Sequence, residues 1–320
     1  TARRCIAGSQ VVKATARAWA SIGNVAVGFD ILGQSVDGPT DTVTVEMTDD
    51  GAIRITNVTG VVHGLPVDVQ LNTAGRALDS LKQHVGARQG FEIQIDKGIP
   101  LGSGLGGSAA SAVAALVAAN RLLPEPVSLD VLYSCAMDGE AAASGSRHGD
   151  NVAPMLLGGL TIAPSSGLPI SVPVPDALWV ALVHPHFELS TRRAREALRG
   201  SYELSEFVHQ SENLAMVLAG CFQNDLTLIR RGLRDGLVEP RRAGLIPGFS
   251  LVKQAALDCN ALGASISGAG PSVFAWVVGE SEARSCAASM QDAFRVAGMK
   301  SDVFVSTANG PAARVIACDA

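Results

Sequence analysis

Apolar and polar residues alternate with the period of a half-buried strand over Val11–Ala18, Thr42–Met47 and Ile53–Val58. The period then changes. Leu71, Ala74, Leu78, Leu81 and Val85 recur at helical spacing, and Gly86 supplies a stop. Phe91–Ile95 reads as another strand, followed by a glycine-rich loop and an alanine-rich helix from about Ser108 to Leu122. Pro124 and Pro126 break that helix, and Ser128 caps the next, which reaches about Ala143. Ser144–Asp150 is a loop of small residues, and Met155–Ile162 is expected as a strand. Four prolines between Pro164 and Pro175 suggest a boundary, giving domains 1–165 and 166–320.

The second half opens on strand Leu178–His184. Helices follow over Thr191–Arg199, Leu204–Phe222, Leu226–Leu237 and Phe249–Leu262. Strand, glycine loop and strand span Ala264–Val278, and a last helix and strand end near Val305. No internal repeat is visible. Strands and helices mix without steady βαβ alternation, so the expected class is α+β.

Composition narrows the function. With 320 residues and 47% hydrophobic content the chain can bury two cores. A net charge of −5 and no basic face argue against nucleic acid. The apolar run Ala112–Ala119 is far shorter than the roughly 20 residues needed to cross a bilayer, so no membrane partner is expected. Arg3-Arg4 is followed by no apolar segment, which argues against an export signal. Six scattered cysteines without CxxC spacing fit a reducing cytoplasm rather than a zinc or dithiol site. His184 and His186 lack a carboxylate or cysteine framework and read as a strand end.

The loop itself is PLGSGLGGSAAS, from Pro100 to Ser111. Gly102, Gly104 and Gly107 satisfy GxGxxG, but the dinucleotide fingerprint wants its glycines directly after a strand. Here Asp96–Pro100 intervenes. No lysine precedes Ser108, so the P-loop pattern also fails. The physics survives both failures: glycines let backbone approach an anion, and the amides opening the next helix point at it. Ser103 and Ser108 add hydroxyl donors. A tight turn without ligand is the plain alternative.

Other polar groups stand along the chain. ASIGNVAVGFD carries Asn24 and Asp30, and Glu140 lies late in an alanine-rich helix. His148, Asp150 and Asn151 precede Val152-Ala153-Pro154, and STRRAR carries Arg195 on a capped helix. EPRRAGLIPGF carries Arg242, and SGAGP, with Gly270, is a second glycine loop. Each alone is consistent with an ordinary turn or solvated face. Together they supply a phosphate cradle, carboxylates for a metal or ammonium, and arginines suited to a carboxylate.

In this order the motifs resemble the small-molecule kinases named for galactose, homoserine, mevalonate and phosphomevalonate. ASIGNVAVGFDILG, HGDNVAPMLLGG, STRRAR and EPRRAGLIPGF resemble the homoserine kinase family in particular. That resemblance implies an N-terminal domain related to the second domain of ribosomal protein S5 and a C-terminal ferredoxin-like domain. It implies ATP and Mg²⁺ as cofactors, L-homoserine as substrate, and a homodimer. By motif match, Pro100, Leu101, Gly102, Ser103, Gly104, Leu105, Gly106, Gly107, Ser108, Ala109 and Ala110 would cradle the triphosphate. Ser108 and Glu140 would hold Mg²⁺. Arg195 and Arg242 would clamp the substrate carboxylate, and Asp30 would meet its ammonium. Asn24 and Asn151 would lie near the hydroxyl, with His148 and Gly270 as further contributors.

Asn151 stands where related kinases carry an aspartate base. Asp150 adjoins it, but neighbours in an extended loop point to different sides. Two departures from the family pattern stand out: Trp19 in place of Pro, and Gly107 in place of a second Ser. A kinase of another small alcohol, a non-catalytic ligand-binding regulator and a dehydrogenase are the competing readings.

Overall fold

The computed structural model describes residues 12–145 and 147–319. Cys5, Val11 and Ser146 lie outside these. The chain forms β1 (Lys13–Gly23), β2 (Leu32–Thr48), β3 (Ile53–Gly60), α1 (Thr73–Val85), β4 (Gly90–Lys97), α2 (Gly107–Leu122) and α3 (Leu129–Ser144). Then come α4 (Val152–Leu157), β5 (Leu160–Ile162), β6 (Ile170–Val172), β7 (Leu178–Pro185), α5 (Thr191–Glu196), α6 (Leu204–Gln223) and α7 (Leu226–Gly232). The last elements are α8 (Glu239–Arg242), α9 (Phe249–Asp258), β8 (Gly263–Ile266), β9 (Val273–Val278), α10 (Glu280–Val296), β10 (Ser301–Thr307) and β11 (Arg314–Asp319).

The first sheet runs β11-β1-β2-β4-β3, with β5 and β6 attached beside β2. Its apolar face packs on α2 and α1, and α3 packs on those two helices. Alanines at 109, 110, 112, 114, 115, 118 and 119 are fully buried, so α2 fits tightly against β1 and β2. Asn72 caps α1 by accepting from the amides of Ala74 and Gly75, and Gly86 ends it in the left-handed conformation.

The second sheet is antiparallel with order β10-β7-β9-β8, wired β-α-β-β-α-β, which is the ferredoxin-like arrangement. β7 explains its own sequence. Leu178, Val180 and Leu182 enter the first core, while Ala181 and Val183 enter a second core with α9 and α10. A strand buried on both faces reads as a continuous apolar run. Trp276 Nε1 donates to Gln34 Oε1 at 2.9 Å and so joins the two sheets.

Several expectations need correction. Met155–Ile162 is not one strand: Val152–Leu157 is helical and only Leu160–Ile162 is extended. A short apolar run carries no period, and Pro154 is tolerated in the first turn of α4. α5 and α7 stop at Glu196 and Gly232, short of the expected ends, and α9 stops at Asp258. α8, β6 and β11 were not expected. β6 and β11 lie beyond residue 165 yet pair in the first sheet, so the expected cut at 165/166 follows the sheets only in part. Trp19 fits within β1, where its Nε1 donates to Asp37 at 3.2 Å and Arg314 stacks over its ring.

Candidate active site

One cavity gathers nearly all the singled-out residues. Its walls come from the loop after β1, the glycine loop, the end of α3, the turn before α4, α5, α8 and the loop between β8 and β9. Pro100 to Gly104, Gly106, Gly107, Ser108, Glu140, Asn24, Asp30, His148, Asn151, Arg195, Arg242 and Gly270 all line it. Leu105, Ala109 and Ala110 do not: their side chains are fully buried in the core, so any part they take in a cradle would be through the backbone. Phe29, Asp150, Leu189 and Thr191 line it unexpectedly.

The glycine loop is built by its carbonyls. Gly102 O accepts from Leu189 N at 3.0 Å, and Ser103 O accepts from both Ser272 N at 3.2 Å and Ser272 Oγ at 2.6 Å. Gly104 O accepts from Ser267 Oγ at 2.7 Å, and Leu105 O from Ser21 N at 3.1 Å. In a trans peptide the C=O and the following N–H point opposite ways. Anchoring these carbonyls therefore turns the amides of Ser103, Gly104 and Gly106 to the other side. Gly104 and Gly106 sit at φ 76° and 71°, and a Cβ there would stand 2.4 Å from Ser267 O and 2.7 Å from Asn151 Oδ1. Only glycine fits at both. Gly106 is the N-cap of α2 and offers no side-chain cap, so the first-turn amides of a 16-residue helix are open to an anion. Three anchors, Leu189, Ser267 and Ser272, come from the second half of the chain, so SGAGPS holds the loop rather than repeating its role.

Beside the helix start, Ser108 Oγ donates to Glu140 Oε1 at 2.8 Å. Glu140 is half-buried, with Oε2 sealed from solvent. Burial pushes its carboxyl up from 4.5 to about 7, with the Ser108 hydrogen bond opposing. That is a carboxylate suited to a cation. Among the described residues no group of three or more His, Cys, Asp or Glu is placed to cage a metal. A cation here would therefore be held as Mg²⁺ usually is, by one or two protein oxygens together with phosphates. Ser108 and Glu140 fit that demand.

The opposite end carries charge of both signs. Arg195 grips Asp30 with two hydrogen bonds of 3.2 and 2.9 Å, and His148 Nδ1 stands 3.4 Å from Asp30. The family resemblance puts Arg195 on the carboxylate of a substrate and Asp30 on its ammonium. Here each neutralises the other in a bidentate pair. Arg242 is 2% exposed and donates to Ala194 O and Gly268 O, and both arginines lie over the Phe29 ring. Burial and the Arg195 charge lower its guanidinium to about 10, so it stays cationic at neutral pH. Burial also lowers His148, which is neutral there.

The loop between β1 and β2 is strained. Asn24, Val25, Ala26 and Asp30 have φ of 69°, 41°, 60° and 58°. Such conformations cost of order 1–3 kcal/mol each and persist only where neighbours hold them. Asn24 holds this one: its Nδ2 donates to Gly268 O, and its Oδ1 accepts from Asp30 N. Its amide is thus engaged in placing Asp30, at the wall of the cavity. Asn151 Oδ1 accepts from Ser21 Oγ at 2.8 Å, which leaves its Nδ2 hydrogens for a ligand.

Asp150 and Asn151 were expected on different sides. They occupy a turn, not an extended segment, and both reach the cavity. Asp150 is wedged behind the strained loop: its Oδ2 lies 2.5 Å from where a Cβ on Gly23 would stand. Burial first, then the Asp30 charge, raises its carboxyl to about 7, with amides of Asp150 and Asn24 opposing.

Residues 72–159 match the GHMP kinases N terminal domain, and residues 217–296 match GHMP kinases C terminal. A homoserine kinase of Xanthomonas campestris pv. campestris (strain B100) is 57% identical over 305 residues, 95% of this chain and 94% of that protein. The chain belongs to the homoserine kinase family of the GHMP kinases. A family member from Xylella fastidiosa (strain M12) is 53% identical over 304 residues, 95% of this chain and 94% of its own. The crystal structure of homoserine kinase from Cytophaga hutchinsonii matches with a TM-score of 0.93 at 41% identity, covering 98% of this chain and 100% of that one. The two-domain family fold thus accounts for a cavity walled by both halves of the chain.

Proposed function

We propose that this protein transfers the γ-phosphoryl group of ATP to the side-chain hydroxyl of L-homoserine, giving O-phospho-L-homoserine for threonine biosynthesis. The observation that carries this is one cavity with a phosphate cradle at one end and Asp30, Arg195 and Arg242 at the other. Family relatives named homoserine kinase support it. A zwitterion matches the second end: its ammonium replaces Arg195 on Asp30, and its carboxylate takes Arg195 together with the remaining Nη2 of Arg242. A neutral sugar or alcohol has nothing to exchange for that ion pair.

Phosphoryl transfer asks chiefly for positioning and charge neutralisation. The anchored loop would hold the β- and γ-phosphates through backbone amides of Ser103, Gly104, Gly106 and Ser108. Mg²⁺, held through Ser108 and Glu140, would neutralise charge on the phosphates. Asn151 Nδ2 would orient the acceptor hydroxyl, and Asp150 would hold the strained loop from behind. A loose transition state bonds the nucleophile weakly, so its proton can leave late, to the γ-phosphate itself.

A homodimer belongs to the same reading, and so does a cytoplasmic setting, supported by the free thiols of Cys135, Cys221, Cys259 and Cys286. The test is phosphorus NMR of the reaction with ATP, Mg²⁺ and L-homoserine. Phosphate on the side-chain oxygen supports the proposal, and homoserine-independent ADP release alone refutes it.

A further inference from the structure

Beneath the glycine loop lies a charged cluster that takes no part in the cavity. Lys97 ends β4 and stands directly opposite Asp41 of β2 in the ladder. Their side chains are 2% and 0% exposed and form an ion pair. Such a pair is not explained by stability. Two charges drawn this far from water lose much of their mutual attraction to desolvation, and an apolar pair of the same volume is often as stable. Its hydrogen bonds show another use.

Asp41 Oδ1 accepts from the amides of Gly98 and Ile99, both at 3.1 Å. These residues lead directly into the phosphate loop at Pro100. Lys97 Nζ donates to Gly107 O at 2.6 Å, and Gly107 closes the loop and starts α2. Ser111, one turn along α2, donates to Asp41 Oδ2 at 2.8 Å and accepts from Lys97 Nζ at 3.0 Å. One side chain therefore fixes the entry to the loop, the other fixes its exit, and the ion pair ties the two together. Holding the Gly107 carbonyl downward also turns the Ser108 amide away from the sheet, since the two groups of a trans peptide are opposed.

We propose that Lys97, Asp41 and Ser111 are positioning residues that set the span of the phosphate loop, and through it nucleotide affinity and the alignment of the γ-phosphoryl group. The proposal rests on the reading that this loop cradles a nucleotide. The homoserine end stands apart: none of the three residues lines the cavity.

The test removes both charges together, because a single substitution leaves an unpaired buried ion. The Asp41→Leu/Lys97→Met protein is compared with the parent for thermal melting, ADP binding by calorimetry, and the KM values for ATP and homoserine. The expected result is a melting point near the parent's, ADP affinity and kcat reduced about tenfold or more, and a homoserine KM within about threefold. A folded double variant with unchanged ADP affinity and ATP kinetics overturns the proposal, and so does an equal rise in both KM values. Should the double variant not fold, Ser111→Ala decides, since alanine suits this helix. Its ATP KM should rise about threefold or more with the homoserine KM unmoved, and an unmoved ATP KM overturns the proposal. Parent binding of ADP needs no acceptor, so a parent that binds ADP but rejects homoserine refutes the substrate reading alone. A parent that binds no ADP refutes both.

Discussion

Replacing Glu140 by glutamine should destroy activity and, in the absence of ligands, make the protein more stable. Burial holds the Glu140 carboxyl at about 7 instead of its ordinary 4.5. The folded state therefore retains a proton that the unfolded chain releases. Stability falls as pH rises from 4.5 to about 7 and stays reduced above that. The difference corresponds to roughly 3 kcal/mol, and solvent at the cavity mouth trims this to about 2. The glutamine amide would keep an oxygen to accept the 2.8 Å bond from Ser108 and would carry no charge to desolvate. The assay is urea unfolding of parent and Glu140→Gln variant, free of nucleotide and metal, at pH 5, 6, 7 and 8. The variant should gain nothing at low pH and about 2 kcal/mol at pH 8, with the gap opening between. ATP and Mg²⁺ should then stabilise the parent more than the variant, and turnover of the variant should fall about a hundredfold or more. A variant less stable than the parent at pH 8, or a gap independent of pH, refutes the account of Glu140 as a charge kept for a cation.

Three further outcomes follow from the geometry. Arg242→Lys should raise the homoserine KM about ten- to hundredfold with the ATP KM little changed, since an ammonium cannot both hold Ala194 and Gly268 and reach a carboxylate; a shift confined to ATP places the clamp elsewhere. Asp150→Asn should keep turnover within about tenfold, because the carboxyl is wedged against Gly23 as a support. A folded protein slowed a thousandfold with normal substrate binding identifies Asp150 as a general base instead. Gly107→Ser should lower the melting point, at a cost of about 1 kcal/mol, because the new Cβ would stand 3.2 Å from Ile99 Cγ2. An unchanged melting point with much tighter ATP binding says the missing hydroxyl matters more than the crowding.

Much of this was legible in the chain, for reasons that differ by element. α1 announced itself through Leu78 and Leu81 at helical spacing before a stop at Gly86, while its cap at Asn72 was not read. The glycine loop was legible as an anion site because Gly104 and Gly106 both take positive φ, and Gly104 also lies against the backbone of Ser267 and Gly270, so glycine is required there. Its orientation was not legible. The carbonyl anchors Ser21, Leu189, Ser267 and Ser272 lie far from the loop in the chain, and only the fold brings them to it. α4 was misread because Val152 to Leu157 is an apolar run buried whichever way it winds. β11 was missed because four of its six residues are exposed and none is buried, and its pairing with β1 joins the two ends of the described chain. Lys97 and Asp41 carry no local signal at all. Each looks like a solvated charge on a strand, and only the register that sets them opposite each other buries them. Arg195 and Asp30 were both found, yet they lie 165 positions apart and pair only when the chain between them folds.

The central claim is that the two ends of one cavity select ATP and a zwitterionic alcohol. It is tested most directly by ADP release from the parent protein with Mg²⁺ and ATP against homoserine, mevalonate, galactose and shikimate at equal concentration. The account predicts turnover with homoserine alone, at least about a hundredfold above the other three, because only homoserine can replace both partners of the Arg195–Asp30 pair. Comparable turnover with mevalonate or galactose, or release that ignores the acceptor, would contradict it.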